Sequence, residues 1–407
     1  MKQQIQNRTL FIRDNLDVLR GMNSESVDLI YIDPPFNSNR NYEAPIGSVA
    51  NGASFKDVWY LDDVEQEWID SIEVQNTALY NLLETVGTMG RSREANGNKG
   101  YLQYMSIRLL EMYRILKPTG SIYLHCDTKM SHYLKMVMDC IFGVRRFRNE
   151  IVWGYKWGGV SKRFFAKKHD IILFYARKQS KYIFNADDVR EPYETKDTRW
   201  HNNKRGKIMR DLWDDIPIIN TMAKERTGYP TQKPLVLLER IIQASSNEGD
   251  MVLDAFCGCA TTLVAAEKHN RQWIGIDVSQ KAVELVNQRM KQESERAESN
   301  ILEWGQGKYQ VIVRKDVPQR TDKEQVVINT NVKQQLYEKQ KGICNGCDIH
   351  FPMRNLEIDH ILPRSKGGQD NIKNLQLLCG ACNRQKGDRD MNYLKAQVRK
   401  DQKGYRY

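Results

Sequence analysis

The sequence holds no run of eighteen apolar residues, and Met1–Arg8 has no apolar stretch of the signal-peptide kind. The first absence argues against a membrane-spanning helix and the second against secretion, so a cytoplasmic chain with no membrane partner is expected. Cysteine is sparse and unevenly placed. Of the eight, Cys126, Cys140, Cys257 and Cys259 are scattered, whereas Cys344, Cys347, Cys379 and Cys382 form two Cys-x-x-Cys pairs. In a reducing compartment the scattered set reads as packed thiols and the paired set as metal ligands. Internal repeats are absent too. What is present is length and positive charge. The 407 residues suffice for two or three domains with a sizeable core, and the net charge of +11 favours a polyanionic partner.

The chain is organised around Tyr31-Ile32-Asp33-Pro34-Pro35-Phe36-Asn37. Val27 to Ile32, with Asp28 as its one polar interruption, reads as a buried strand of a parallel sheet. The strand ends in a carboxylate. The prolines then fix their own φ, and Pro35 also holds Pro34 extended. The turn offers the Asp33 carboxylate, carbonyls without competing N–H groups, and the Phe36 ring. Asp33 and the Pro34 carbonyl can each accept one hydrogen of an exocyclic amino group while Phe36 stacks on the attached nucleobase. An ordinary strand-ending turn also begins with Asp-Pro.

After this turn, Asn37 to about Gly100 loses clear periodicity apart from helical content over Glu65–Thr85, as a lid or substrate loop would. Helix is predicted over Tyr101–Leu116, stopped by Lys117-Pro118-Thr119-Gly120, and strands at Ser121–His125, Asn149–Trp153 and Asp170–Tyr175. Residues 155–226 interleave cations with aromatics, among them Trp157, Lys162, Arg163, Phe164, Phe165, Arg199, Trp200, Lys204, Arg205, Arg210 and Trp213. That mixture suits a nucleic-acid surface, and a solvated charged loop has the same composition. Further on, helix over Leu235–Ala244, strand over Met251–Asp254, helix over Thr261–Lys268, strand over Trp273–Asp277 and helix over Ser279–Glu293 complete an alternating α/β pattern.

Val252 to Thr262 reads as strand, small-residue turn and helix start, a place where a ligand can approach backbone N–H groups. Asp277 ends the next strand with a carboxylate of the sort that holds ribose hydroxyls. The pattern Asp254-x-Phe256-x-Gly258, the stretch Thr231-Gln232-Lys233-Pro234 and the Asp-Pro-Pro-Phe turn together resemble the amino-group DNA methyltransferases, in the permuted order of their beta class. The resemblance spans about Arg8 to Arg296. It implies a Rossmann-like S-adenosylmethionine-dependent methyltransferase sheet, with the cofactor held by Lys233, Asp254, Phe256, Gly258, Thr261 and Asp277. It also implies catalysis by Asp33, Pro34, Pro35 and Phe36 on a base flipped from double-stranded DNA. N6-adenine is favoured over N4-cytosine because cytosine enzymes of the family more often carry Ser at the position of Asp33. Ala260 replaces the family's second glycine, which is tolerable if φ there is negative.

The two cysteine pairs are spaced like a zinc site of four thiolates, closing a module too small to bury much core. Between and after them stand Asp359-His360, Asn374 and Asn383-Arg384-Gln385-Lys386. This pattern is similar to the HNH endonucleases, whose fold is a zinc-stapled ββα-metal unit. The resemblance implies His360 as general base, Asp359 and Asn383 as ligands of Mg²⁺ or Mn²⁺, and Asn374 as the brace of the loop bearing His360. Arg364, Lys366, Arg384 and Lys386 are expected to meet phosphates.

The expected organisation is therefore a methyltransferase domain over 1–295, with target recognition near 155–226, a linker over 296–330 and an HNH nuclease domain over 331–407. That pairing points to restriction–modification in a prokaryotic or phage-encoded protein. Two other readings share these residues: a solitary or phage-protective methyltransferase whose module only grips DNA, and a nuclease for which the larger domain is a sequence reader. The sequence leaves the oligomeric state open, a homodimer included.

Overall fold

The computed structural model describes residues 5–90, 92–157, 159–193, 203–220, 222–298, 310–322, 330–366, 368, 370 and 372–404. Arg199 and Trp200 of the basic stretch, and 299–309 and 323–329 of the expected linker, lie outside the described residues.

The chain enters through β1 (Thr9–Ile12), α1 (Asn15–Gly21) and β2 (Val27–Ile32). The insert that follows holds a hairpin, β3 (Tyr42–Glu43) with β4 (Ser54–Phe55), and the helices α2 (Gln66–Gln75) and α3 (Thr77–Val86). Next come α4 (Ser92–Ile115), β5 (Leu116–Cys126), α5 (Ser131–Phe142), β6 (Phe147–Gly154), β7 (His169–Ala176) and β8 (Leu212–Trp213). The chain then returns through α6 (Leu235–Ser245), β9 (Met251–Asp254), α7 (Thr261–Lys268), β10 (Gln272–Asp277), α8 (Gln280–Glu298) and β11 (Ile312–Arg314).

These strands form one nine-stranded sheet in the order β11-β1-β10-β9-β2-β5-β7-β6-β8, in which β7 alone runs against the rest. Both faces are covered, which is why the whole of β2 is buried. Ile30 and Ile32 point into a core shared with α1, α4 and α5, and Leu29 and Tyr31 into one shared with α6 and α7. Asp28 is buried with them because the Lys117 ammonium (2.7 Å) and the Met251 N–H (2.9 Å) both donate to its carboxylate.

The expected linker behaves differently from a free tether over 310–322. There β11 adds a parallel edge strand to β1, and Arg320 and Thr321 hydrogen-bond to Ser24 and Asn23 after α1. Beyond it, α9 (Thr330–Lys339), the antiparallel hairpin of β12 (Leu356–His360) and β13 (Leu375–Cys379), α10 (Gly380–Lys386) and α11 (Met391–Gly404) make a ββα unit. Leu336, Leu356, Leu377, Leu378 and Leu394 form its separate core. No helix among the described residues is long and apolar enough to cross a membrane.

Candidate active sites

Neighbouring parallel strands bring the two turns of interest together. In β2 and β9, Ile30 pairs with Leu253, and in β9 and β10, Asp254 pairs with Gly275, so Asp33, Asp254 and Asp277 all emerge at the carboxyl edge of the sheet. That is where open α/β sheets bind ligands. A cavity of about 460 Å³ occupies the spot, and its lining includes Asp33, Pro34, Pro35, Phe36, Lys233, Asp254, Phe256, Gly258, Thr261 and Asp277. All the residues expected in the methyltransferase site thus face one space.

Within it, the Asp33 carboxylate is divided. Its Oδ2 accepts from the Lys233 ammonium at 2.6 Å, while Oδ1 is buried and has no partner among the described residues. Lys233, expected to hold the cofactor, lines the same cavity and is paired with the Asp33 carboxylate, and its Nζ also stands 5.2 Å from the centroid of Phe36. Gln232 folds the loop that delivers it, accepting from the Thr227 N–H and hydroxyl and donating to the Glu225 carbonyl. Phe36 lies against the buried His125, ring centroids 6.0 Å apart and planes inclined by 22°. His125 is held by the Tyr31 hydroxyl at Nδ1 (2.9 Å) and by Asp170 at Nε2 (3.2 Å).

On the cofactor side, Asp254 accepts from the Phe256 N–H (3.0 Å) and the Thr262 hydroxyl (2.5 Å). Burial outweighs both donors and pushes its carboxyl up to about 7. Burial raises Asp277 as well, although the N–H groups of Gly258 and Ser279 donate to it at 2.9 and 2.8 Å. Gly258 has φ of 45°, and a Cβ there would meet the Tyr229 ring at 3.0 Å, so the turn needs glycine twice over. Ala260 does not have the expected negative φ. It caps α7 at φ 66°, because the turn must enter the left-handed region to swing into the helix, at a cost of about 1 kcal/mol for a residue with a Cβ. The buried Arg289 braces this turn by donating to the Cys259 carbonyl (2.6 Å) and the Thr261 hydroxyl (2.9 Å).

Several functional residues carry no local signal in the sequence. Arg108, fully buried, donates to Asn15 and to both carboxylate oxygens of Asp14, while Asn15 donates to the Ala255 carbonyl. Both Asp14 and Asn15 line the cavity. Asp57, from the insert, accepts from the N–H groups of Asn37 (2.6 Å) and Ser38 (3.1 Å) and so fixes the end of the turn that carries Asp33. Tyr42, Phe55 and Trp59 from the same insert line the cavity.

In the C-terminal module, the sulfur atoms of Cys344, Cys347, Cys379 and Cys382 all lie within 4.8 Å of one another. Tetrahedral zinc–thiolate geometry needs such a set, and the N–H groups of Gly346 and Cys379 point at the Cys344 sulfur. His360 ends β12 with Nε2 2.7 Å from Asp370 Oδ1, and Arg364 binds the same carboxylate at 2.9 and 2.6 Å. Asn374 braces the loop as expected, exchanging hydrogen bonds with the backbone of Leu362. Asn383 donates its amide to Glu357 at 2.6 Å, which turns its oxygen away from that carboxylate. Asp359 accepts from Gln376 (2.8 Å) and from Lys386, whose Nζ lies 3.1 Å from Oδ2. Asp359 retains acceptor sites beyond these.

Three of the cations expected at phosphates have protein partners. Lys386 is buried and bound also to the His360 carbonyl, Arg364 is taken by Asp370, and Lys366 reaches Glu65 of the larger domain at 3.7 Å. Of the expected phosphate-binding cations, Arg384 and Arg364 are exposed, Arg364 with 63% of its side chain accessible despite its pairing with Asp370.

Comparison with known proteins identifies two families along the chain. Residues 27–288 match the DNA methylase family and residues 344–389 the HNH endonuclease family. The type II methyltransferase M.HpaI of Haemophilus parainfluenzae is 36% identical over 233 residues, covering 57% of this chain and 71% of that protein. DNA adenine methyltransferase YhdJ of Escherichia coli K12 is 27% identical over 293 residues, covering 70% and 82%. Among solved structures, the M1.HpyAVI–SAM complex aligns with a TM-score of 0.39 and 18% identity over 69% of this chain and 98% of that one. The chain belongs to the DNA methylase family and carries an HNH endonuclease domain in its C-terminal part.

Proposed function

We propose that the larger domain transfers a methyl group from S-adenosylmethionine to the N6 amino group of an adenine flipped out of double-stranded DNA. The observation that carries this reading is the partnerless Asp33 Oδ1, buried in the cavity that also holds the Asp254 and Asp277 turns. S-adenosylmethionine, held by Asp254, Phe256, Gly258, Thr261 and Asp277, supplies an electrophilic methyl group. Asp33 Oδ1 and the Pro34 carbonyl accept the two amino hydrogens and so aim the nitrogen lone pair, while Phe36 supports the base from its ring face. Lys233 holds Asp33 in place. Positioning of this kind supplies most of the acceleration in a direct displacement.

The adenine preference is supported by Asp33 itself and by the likeness to YhdJ, named a DNA adenine methyltransferase. Mass spectrometry of digested DNA from cells expressing the protein should find N6-methyladenine, and modified-base sequencing should place it in one motif. N4-methylcytosine as the main product would overturn the assignment.

The C-terminal module is read as a metal-dependent nuclease that cuts the same DNA when it is unmarked, as restriction–modification requires. Its four thiolates hold structural zinc. Replacing Cys344 with Ser should abolish zinc retention and unfold residues 330–404, since structural zinc contributes about 10–16 kcal/mol of apparent binding energy to such modules. Metal analysis together with limited proteolysis checks this: a variant that keeps zinc and an intact module refutes the ligand assignment. Methylation should persist, because the larger domain has its own cores.

A further inference from the structure

The loop between β6 and β7 is anchored to the catalytic turn yet leaves its large apolar side chains in water. Its neck is closed by the Tyr155 N–H donating to the Lys168 carbonyl at 2.9 Å. From that neck the Tyr155 hydroxyl reaches Asp170 (3.3 Å), Asp170 holds His125, and His125 stacks on Phe36. The loop therefore springs from the wall of the pocket where Asp33 waits for its amino group.

Further out, Trp157 is 76% exposed, Val160 97%, Phe164 66% and Phe165 100%. The Ser161 hydroxyl accepts from the N–H groups of Arg163 and Phe164 at 3.2 and 3.3 Å, which makes the tip a defined turn. Lys156, Lys162, Arg163, Lys167 and Lys168 are interspersed with these residues along the chain, and 156–168 contains no acidic residue.

Leaving a Phe side chain in water forgoes about 1.5–3 kcal/mol of burial, so exposed aromatics grouped at one tip need an apolar partner. The cations require that partner to be anionic as well. A DNA duplex is anionic outside and apolar between its stacked bases, and side chains such as Phe are known to enter that space as wedges. We propose, resting on the reading of a flipped target base, that Phe164 and Phe165 insert into the duplex at the target pair and occupy the space the base leaves. Lys162 and Arg163 then hold the flanking phosphates.

The test uses the full-length chain and a duplex enriched from random DNA by binding to it, with 2-aminopurine at each adenine of the motif in turn. Wild type should raise the fluorescence at one position, and Phe164→Ala/Phe165→Ala should not. On the plain duplex this double variant should methylate about 10²-fold more slowly, the factor that a few kcal/mol of unstacking represents. On a duplex whose target base faces an abasic site, where no pair is broken, its rate should return close to that of wild type. Lys162→Ala/Arg163→Ala should instead weaken binding to both duplexes and flatten the salt dependence.

Equal losses on the two duplexes would make the tip a plain binding surface and overturn the wedge. Unchanged rates on both would assign the aromatics to a protein partner or a second copy of the chain, and overturn it equally. A wild-type fluorescence rise without methyl transfer would leave the wedge standing and sink the methyltransferase reading; no rise at all would sink the wedge.

Discussion

Replacing Asp33 with Asn should cut methyl transfer by at least about 10²-fold while the chain stays folded and keeps its affinity for the cofactor. The substitution preserves shape and removes one acceptor. In the wild type one carboxylate oxygen accepts from Lys233 at 2.6 Å, and the other is buried with no partner among the described residues, which leaves it able to accept the amino hydrogen proposed above. An Asn side chain has a single oxygen, and Lys233, which can only donate, takes it. The amide then turns its own NH₂ towards the target NH₂, donor against donor. A charge-assisted hydrogen bond of about 1.5–3 kcal/mol is lost, and the misaimed nitrogen adds to the loss.

Asp33→Ala should be at least as inactive, though it also strands the buried Lys233 cation and so costs stability. Single-turnover transfer of a labelled methyl group, alongside calorimetric titration of the cofactor, separates chemistry from binding. Near-normal transfer by Asp33→Asn removes Asp33 from the catalytic role. A lost cofactor affinity with normal chemistry would instead return Lys233, through its ion pair, to the cofactor side.

Much of this site is legible along the chain because its parts are local. Val27–Ile32, Met251–Asp254 and Thr261–Lys268 fold with the bounds expected for them, since each is an apolar run ended by turn residues. What is not legible depends on partners far away in sequence. The α4 helix begins at Ser92 and not at Tyr101, running through Gly97 and Gly100, poor helix formers by propensity. Gly100 is nevertheless required, because a Cβ there would stand 2.7 Å from the Tyr60 carbonyl oxygen, where the insert packs on the helix.

Arg108 and Asp57 meet their partners across long separations, and no periodicity announces them. The strand in the expected linker is a contrasting case: Gln310–Val313 is strand-like by sequence, and Ile312–Arg314 pairs with the edge of β1, an assignment of partner that needs the fold. Ala260 shows the opposite limit: the residue was visible, but its sign of φ belongs to the turn geometry.

The same reasoning sets the second expectation. Replacing His360 with Ala should reduce DNA cleavage by roughly 10²–10⁴-fold, the range for a lost general base, and leave methylation and folding intact. Asp370 supplies the physical basis. Burial pushes its carboxyl up, but hydrogen bonds from Arg364 and His360 overcome that and hold it below the ordinary range, so it is ionised at neutral pH. An ionised Asp370 at 2.7 Å from Nε2 takes a proton donor there, which leaves Nδ1 as the basic nitrogen for water.

Asp370→Asn should therefore lower cleavage less than His360→Ala, since the imidazole loses its orientation but survives. The pair is best read by nicking of unmethylated plasmid in Mg²⁺ and in Mn²⁺, with zinc content measured on the same samples. If wild type retains zinc but leaves plasmid intact in either ion, whether methylated or not, the module grips DNA without cutting it. Cleavage that survives His360→Ala but not Asp370→Asn would instead move the catalytic role to the Asp370–Arg364 pair.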